Sequence, residues 1–380
     1  MIHAATGSKP GEEPVADTGD RKKIWREPVR GSYPDPRIFQ LSGMDQLRSC
    51  MVGGWPRPPM SHLTGLSFSH ADETETMMEQ PASGWFLSSQ GVIPGGFLAI
   101  VADAAFGAAI TSRLPARTPF TTSEISLNFI KPATTRSRIL RARGTALHVG
   151  RDTALAECVV EDGDGTILAH GTTRCVILDQ LPPVDGGDGA EITLQEFLEA
   201  SPPNPSVEYD SPSPYLRPVK GEPLSAATWE ELSGREILER QIAGELPMPP
   251  IHHLTGMRPT SVGDGQATFV LPCTAWLTSG FGTIQGGVGA MLAYSALASA
   301  IQSTTEAGTA HLPVDLKVNY VRPAYPDPSG RDLCAEGRVV HRGRSLRVAD
   351  AEVRNPDGKL VAVARGTSML LPGQSAWAAA

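Results

Sequence analysis

The chain has 380 residues, is 40% hydrophobic and 19% charged, and carries a formal net charge of −8. This is ordinary for a soluble globular protein of two or three domains. It excludes nucleic acid as a bulk partner, since no basic stripe accompanies the acidic balance.

In chain order, residues 1–40 are assigned to a flexible N-terminal tail. The segment is rich in Gly, Pro and charge and has no apolar run of secretory-signal type. A short amphipathic helix is expected around 35–52. Residues 41–178 form a first domain, 179–228 a Pro-, Gly- and Ser-rich linker with one short helix at 193–200, 229–372 a second domain, and 373–380 a C-terminal tail. The second domain opens with a helical period over 229–243, the counterpart of 35–52. Five cysteines, Cys50, Cys158, Cys175, Cys273 and Cys334, include no CxxC pair. Reduced, mostly buried thiols and a cytoplasmic location are expected. The apolar stretches around 97–110 and 288–301 are short and rich in Ala and Gly, so they read as buried helices and no membrane partner is expected.

The two domains are copies. Residues 58–65 read PPMSHLTG and 249–256 read PPIHHLTG, a shift of 191 residues. At the same shift Trp85 matches Trp276, Gly95-Gly96 matches Gly286-Gly287, and Asn128 and Pro132 match Asn319 and Pro323. Within each copy two strands are expected (64–69 and 74–80; 255–262 and 266–271). One helix follows (95–112; 286–303), then four strands: 122–130, 138–149, 153–161 and 167–178 in copy one, and 313–321, 332–341, 345–354 and 360–371 in copy two. Hairpin signals at Gly150-Arg151 and Gly343-Arg344, then Asp164-Gly165 and Asp357-Gly358, separate them. The helix is apolar on every side, with Leu98, Ile100, Val101, Phe106 and Ile110 spread around it. One sheet covers one face, so the other must meet the second copy.

Gly91-Val92-Ile93-Pro94-Gly95-Gly96, followed by Asp103, resembles the hotdog-fold acyl-CoA thioesterases of the PaaI type. In that family a His-Gly-Gly turn opens the central helix, and an acidic residue lies nine positions after the His. Asn128-Phe129-Ile130-Lys131-Pro132 and the His148-Val149-Gly150-Arg151 hairpin also match its habits. The resemblance covers 58–178 and 249–371. It implies an α+β tandem hotdog: two antiparallel sheets, each wrapped on one central helix, packed as an intrachain pseudo-dimer. It implies acyl-CoA thioester hydrolysis, with coenzyme A as part of the substrate, no metal or redox cofactor, and association of pseudo-dimers into homo-oligomers. The chain departs from the family pattern. Pro94 and Gln285 stand where the His would be, Ser88 and Ser279 where an Asn often lies six residues earlier, and Tyr294 takes the place of Asp103 in copy two.

Thioester hydrolysis needs a carboxylate that activates water or attacks the carbonyl. It also needs donors that steady the oxyanion, and free N–H groups at a helix N-terminus supply them. Asp103 lies eight residues after Gly95, about 12 Å along its own helix. It therefore requires donors from the other copy. In this reading Asp103 is the catalytic carboxylate, facing Gln285, Gly286 and Gly287, and the mirror site of Gly95, Gly96 and Tyr294 is degenerate. Alternatives stay open residue by residue. Gly286-Gly287 either polarises a carbonyl or allows tight helix packing; Gln285 either orients the thioester or caps its helix. Tyr294 is read as a core aromatic. Thr122 and Ser279 are substrate-side candidates, or a plain strand residue and a loop residue. Arg151 and Arg344 suit coenzyme A phosphates, or are solvated turn residues. A second reading of the chain is a non-hydrolytic acyl-CoA binding or scaffold protein, motivated by loss of both family His residues and one carboxylate.

Overall fold

The computed structural model describes residues 23–184, 191–200 and 209–373. The C-terminal tail from 374 and the first 22 residues lie outside the described residues. Copy one contains α1 (Gly43–Met51), α2 (Pro59–Thr64), β1 (Ser67–Ala71), β2 (Thr76–Pro81), α3 (Gly95–Thr111), β3 (Phe120–Phe129), β4 (Ile139–Val149), β5 (Thr153–Glu161) and β6 (Ile167–Ile177). After α4 (Leu194–Ala200), copy two contains α5 (Ala226–Glu231), α6 (Gly234–Ala243), α7 (Pro250–Thr255), β7 (Arg258–Gly263), β8 (Gln266–Pro272), α8 (Gly286–Gln302), β9 (Thr309–Pro313), β10 (Asp315–Tyr320), β11 (Asp332–Arg342), β12 (Leu346–Arg354) and β13 (Leu360–Pro372). Among the described residues no helix is long and apolar enough to cross a membrane.

The strands form one antiparallel sheet in the order β1-β2-β4-β5-β6-β3-β10-β13-β12-β11-β8-β7, with β9 also on β13. The two expected sheets are thus joined edge to edge through β3 and β10. Ser126 lies opposite Lys317, and these positions correspond at the 191-residue shift. The pseudo-two-fold axis therefore passes through this pair. Joining the sheets here pairs both inner edges and removes two exposed strand edges.

The central helices α3 and α8 lie side by side beneath this joint, and nearly every residue of each is buried. A Cβ on Gly287 would come within 2.5 Å of Ile100 Cα and 2.6 Å of the Ala99 carbonyl oxygen. Glycine is required there by the closeness of the two backbones.

Local chemistry moves several expected boundaries. The repeated PPxxHLTG runs are single helical turns, α2 and α7, where strand was expected to start at 64 and 255. Proline occupies the first helical position of each, and Gly65 and Gly256, both at φ 78°, end them in the left-handed conformation. The helix expected over 229–243 is two, because Ser233 and Glu236 form a capping box that starts α6 afresh. Around 35–52, Ser42 likewise caps α1 at Gly43. The strand expected at 313–321 is broken at Val314 into β9 and β10. Pro313 has no N–H to donate, and the Asp315 carboxylate accepts the Thr367 N–H across the gap at 2.8 Å.

Within the segment assigned to the tail, Ile24 and Ile38 are buried. Residues 25–31, WREPVRG, repeat as 215–221, YLRPVKG, at a shift of 190 residues. The two segments are crossed straps. Trp25 lies over Gly256 of copy two, whereas Tyr215 lies over Gly65 of copy one. The Glu27 carbonyl accepts from the Trp276 indole at 3.2 Å, and the Arg217 carbonyl from the Trp85 indole at 2.9 Å. Where the straps meet, the Arg217 guanidinium grips the Glu27 carboxylate with two bonds of 2.6 and 2.8 Å. These are equivalent positions carrying opposite charge, and bidentate geometry makes the contact strong for an ion pair.

Reversing either charge, Glu27→Arg or Arg217→Glu, is expected to lower the thermal midpoint. The double reversal should restore most of it, with a coupling of about 1–3 kcal/mol in the double-mutant cycle. A double variant no more stable than the worse single would show that aromatic packing alone holds the straps.

Candidate active site

Both central helices open on Gly-Gly, and neither preceding residue, Pro94 or Gln285, caps its own helix with its side chain. The first N–H groups of α8 are therefore left for a partner from outside the helix. That partner is Asp103, two turns into α3, whose Oδ2 accepts the Gly287 N–H at 2.9 Å. A Cβ on Gly286 would sit 3.1 and 3.2 Å from the two carboxylate oxygens. The two glycines thus serve different ends: Gly287 lets the helices approach, and Gly286 leaves room for the carboxylate. Gln285 does not cap α8; its Nε2 donates 2.8 Å to the Ile100 carbonyl of α3 and ties the two helices together.

Asp103 is 9% exposed. Burial pushes its carboxyl up to about 6, against the donors of Gly287, Gln285 and Gly286, which pull the other way. A carboxylate in this range is divided between base and acid near neutrality, as proton-transfer groups are.

Tyr320, at the end of β10, belongs to the same constellation and was absent from the expected site. Its hydroxyl donates 2.6 Å to the Gly286 carbonyl. Burial and the Asp103 charge push the phenol far above its ordinary range. The signal was present in the repeat: Asn128-Phe129 in copy one aligns with Asn319-Tyr320 in copy two, and attention to the shared Asn hides the unshared hydroxyl.

The other candidates divide. Thr122 is linked to the site through Cys175, whose thiol donates to Thr122 Oγ1 at 3.9 Å. That thiol is pushed up to about 12, by burial first and with Asp103 among the lesser causes. Ser279 closes its own loop, accepting the Phe281 N–H at 3.3 Å. Arg151 stands on an exposed hairpin tip beside Asp152, and Arg344 is exposed on the matching tip. Among the described residues, no hydrogen bond joins Ser279, Arg151 or Arg344 to Asp103.

The mirror site is filled by rings. Tyr294 replaces the carboxylate, and a Cβ on Gly96 would meet its Cβ at 2.7 Å. The Gly95 N–H faces the Tyr294 hydroxyl. Phe129, in the place of Tyr320, covers Gly95 and meets Tyr294 edge-on at 5.9 Å and 87°.

The loop leading to Gln285 is walled by the segment before copy one and by the first residues of copy one. The Tyr33 hydroxyl bonds Thr278 Oγ1 at 2.8 Å, and Phe281 meets Phe39 at a tilt and Trp55 edge-on, at 5.8 and 5.6 Å. The mirror loop meets Pro223 and Leu224 instead.

Comparison with known proteins agrees with the tandem fold. A family model described as the Thioesterase superfamily matches the chain twice, over residues 90–169 and 281–362. The acyl-coenzyme A thioesterase PaaI of Escherichia coli K12 is 31% identical over 113 residues, 30% of this chain and 76% of that protein. Two solved structures share the fold across both copies. The tesB protein of Mycobacterium avium subs paratuberculosis has a TM-score of 0.50 at 12% identity, covering 83% of this chain and 98% of that one. A conserved protein of unknown function with hot dog fold from Alicyclobacillus acidocaldarius has a TM-score of 0.50 at 14% identity, covering 82% and 97%.

The burial of Asp103 has a measurable cost. The native carboxyl, at about 6 against 3.8 for an ordinary aspartate, holds its proton more tightly than the unfolded one. Its contribution to stability is therefore neutral below about pH 4 and increasingly unfavourable as pH rises through about 6. The gap is worth about 3 kcal/mol. Asp103→Asn, which keeps an acceptor for the Gly287 N–H, is expected to raise the thermal midpoint at about pH 7.5 and to lose that advantage at about pH 4. An Asn variant less stable at the higher pH would show that the ionised carboxylate is net stabilising.

Proposed function

The chain belongs to the thioesterase superfamily, in the tandem form of the hotdog fold, and on that premise we propose that it hydrolyses an acyl-CoA thioester at one site shared between its two copies. One observation carries the reading: a buried carboxylate of copy one is held 2.9 Å from a helix N-terminal N–H of copy two, and the mirror position holds a tyrosine.

In this proposal the thioester carbonyl takes over the N–H donors of Gly286 and Gly287. Asp103 loses their hydrogen bonds while staying buried, so its basicity rises as substrate arrives. It then accepts a proton from water as the oxygen adds to the carbonyl carbon, or attacks that carbon itself. The oxyanion forms against the positive end of α8. On the general-base route the proton held by Asp103 passes to the departing sulfur as the carbon–sulfur bond breaks, leaving a carboxylic acid and coenzyme A. On the nucleophilic route the thiolate departs first and takes its proton from solvent, and water then hydrolyses the acyl–Asp103 anhydride to the same acid. No metal or redox group enters these steps. Gln285 holds the turn in place, Thr122 lines the carboxylate side through Cys175, and the exposed Arg151 and Arg344 are the candidates for the coenzyme phosphates. The mirror site takes no part. The five free thiols suit a reducing, cytoplasmic setting, and association of pseudo-dimers remains part of the proposal.

An acyl-CoA panel spanning short, long and aromatic acyl groups, read by release of free thiol, is expected to show turnover. Asp103→Ala should lower kcat by roughly tenfold or more, with binding of a non-hydrolysable analogue retained at one molecule per chain. In the native protein kcat/KM should rise with pH through about 6, because the base must be ionised. Analogue binding without turnover in the unmutated chain would replace this reading with that of an acyl-CoA binding or scaffold protein.

A further inference from the structure

The Gly286 carbonyl and the Gly287 N–H are the two ends of one peptide unit. Its oxygen accepts the Tyr320 hydroxyl at 2.6 Å, and its N–H donates to Asp103 Oδ2 at 2.9 Å. The three groups form a single chain, from the phenol O–H through C=O and N–H of one peptide to the carboxylate. Hydrogen bonds arranged in this order strengthen one another, because a donor on the carbonyl draws charge from the amide and makes its N–H a better donor. Such polarisation counts most where water is excluded.

We propose that Tyr320 is a positioning residue which, through the Gly286–Gly287 peptide, orients and strengthens the N–H donor that holds Asp103. The idea deepens the hydrolase reading and rests on it for its consequence in turnover. The chain of bonds itself stands in the resting protein.

Two features separate this role from simple packing. Tyr320 keeps a hydroxyl at the copy that has the carboxylate, while Phe129 holds the equivalent place at the copy that has none. A phenylalanine therefore fits this position of the fold, and the hydroxyl is the part in need of explanation. A carbonyl oxygen also has a second lone pair for the helical ladder, so the extra donor is not needed to satisfy it. The titratable groups coupled to Asp103 from neighbouring strands are the Tyr320 phenol on β10 and the Cys175 thiol on β6. Both stay neutral in the pH range where Asp103 ionises. The acid limb of any titration there reports the carboxylate and its hydrogen bonds.

The test is Tyr320→Phe in the full chain, with Phe129→Tyr as the mirror control. In the resting protein the Asp103 carboxyl is followed by carbon NMR as pH is varied. Its midpoint is expected to move upward in Tyr320→Phe, since the ionised form loses a strengthened donor, and to stay in place in Phe129→Tyr. In turnover, kcat should fall by roughly tenfold with KM within about twofold, a part of the 10²–10³ that loss of a whole oxyanion donor costs. The acid limb of the pH profile should move with the NMR midpoint. An Asp103 midpoint unchanged by Tyr320→Phe overturns the inference, whether or not the chain hydrolyses thioesters. A rise in KM with kcat intact would also overturn it, by making Tyr320 a substrate contact. A midpoint that moves in a protein without turnover would uphold the inference and sink the hydrolase reading.

Discussion

Two helices that are apolar on all sides impose the architecture. Each sheet wraps one face of its own helix, and the remaining faces of α3 and α8 have only each other to meet. Their contact is close enough that Gly287 lies against the backbone of Ile100. The contact between Asp103 and Gly287 depends on that closeness. Asp103 cannot reach the N-terminus of its own helix, but the antiparallel neighbour brings a second N-terminus within hydrogen-bond distance. The edge pairing of β3 with β10 around Ser126 and Lys317 and the crossed straps hold the same arrangement from the sheet and from the opposite side.

A symmetric dimer would have to repeat whatever stands at each position. On one chain the copies are free to differ. Glu27 and Arg217 occupy matched strap positions and attract; in two identical subunits the same place would set like charges together. Asp103 and Tyr294 are matched as well, as are Tyr320 and Phe129. Each pair sends its polar member to the same site. The fusion thereby gathers a carboxylate, two glycines and a phenol at one turn, and leaves aromatic rings at the other.

Much of this could be read from the repeat. A shift of 191 residues as far as Pro132 and Pro323, and of 193 at the later hairpins, defines the copies, their order of elements and the position at which a carboxylate is matched by a tyrosine. The rise of an α-helix then places Asp103 opposite Gln285-Gly286-Gly287, because its own helix start is too far away. The straps escaped because their shift is 190 and because charge and proline dominate the average over their neighbourhoods, masking Trp25 and Tyr215. The PPxxHLTG runs carry β-like composition at their ends, while the decisive signals, proline at the start and a left-handed glycine at the stop, are local. The break between β9 and β10 depends on an aspartate that bridges a gap visible only in three dimensions. Tyr320 was legible by the comparison that exposed Tyr294, but its importance rests on which end of a peptide its hydroxyl meets.

The ring-filled turn also bears on the turn that holds Asp103. A buried carboxylate opposes folding, and the hydrogen bonds from the α8 turn offset only part of that cost. At the mirror position the same fold buries the ring of Tyr294 and partly buries that of Phe129, and a fully buried side chain of this size stabilises by about 1.5–3 kcal/mol. Restoring a carboxylate there would remove a ring contact and add a second desolvated charge to the same pair of helices. The two effects have the same sign. A tandem chain that keeps one polar site and packs the other therefore holds its central interface together more firmly than a chain with two polar sites. This gives the absence of a second carboxylate a physical reason that does not depend on any substrate.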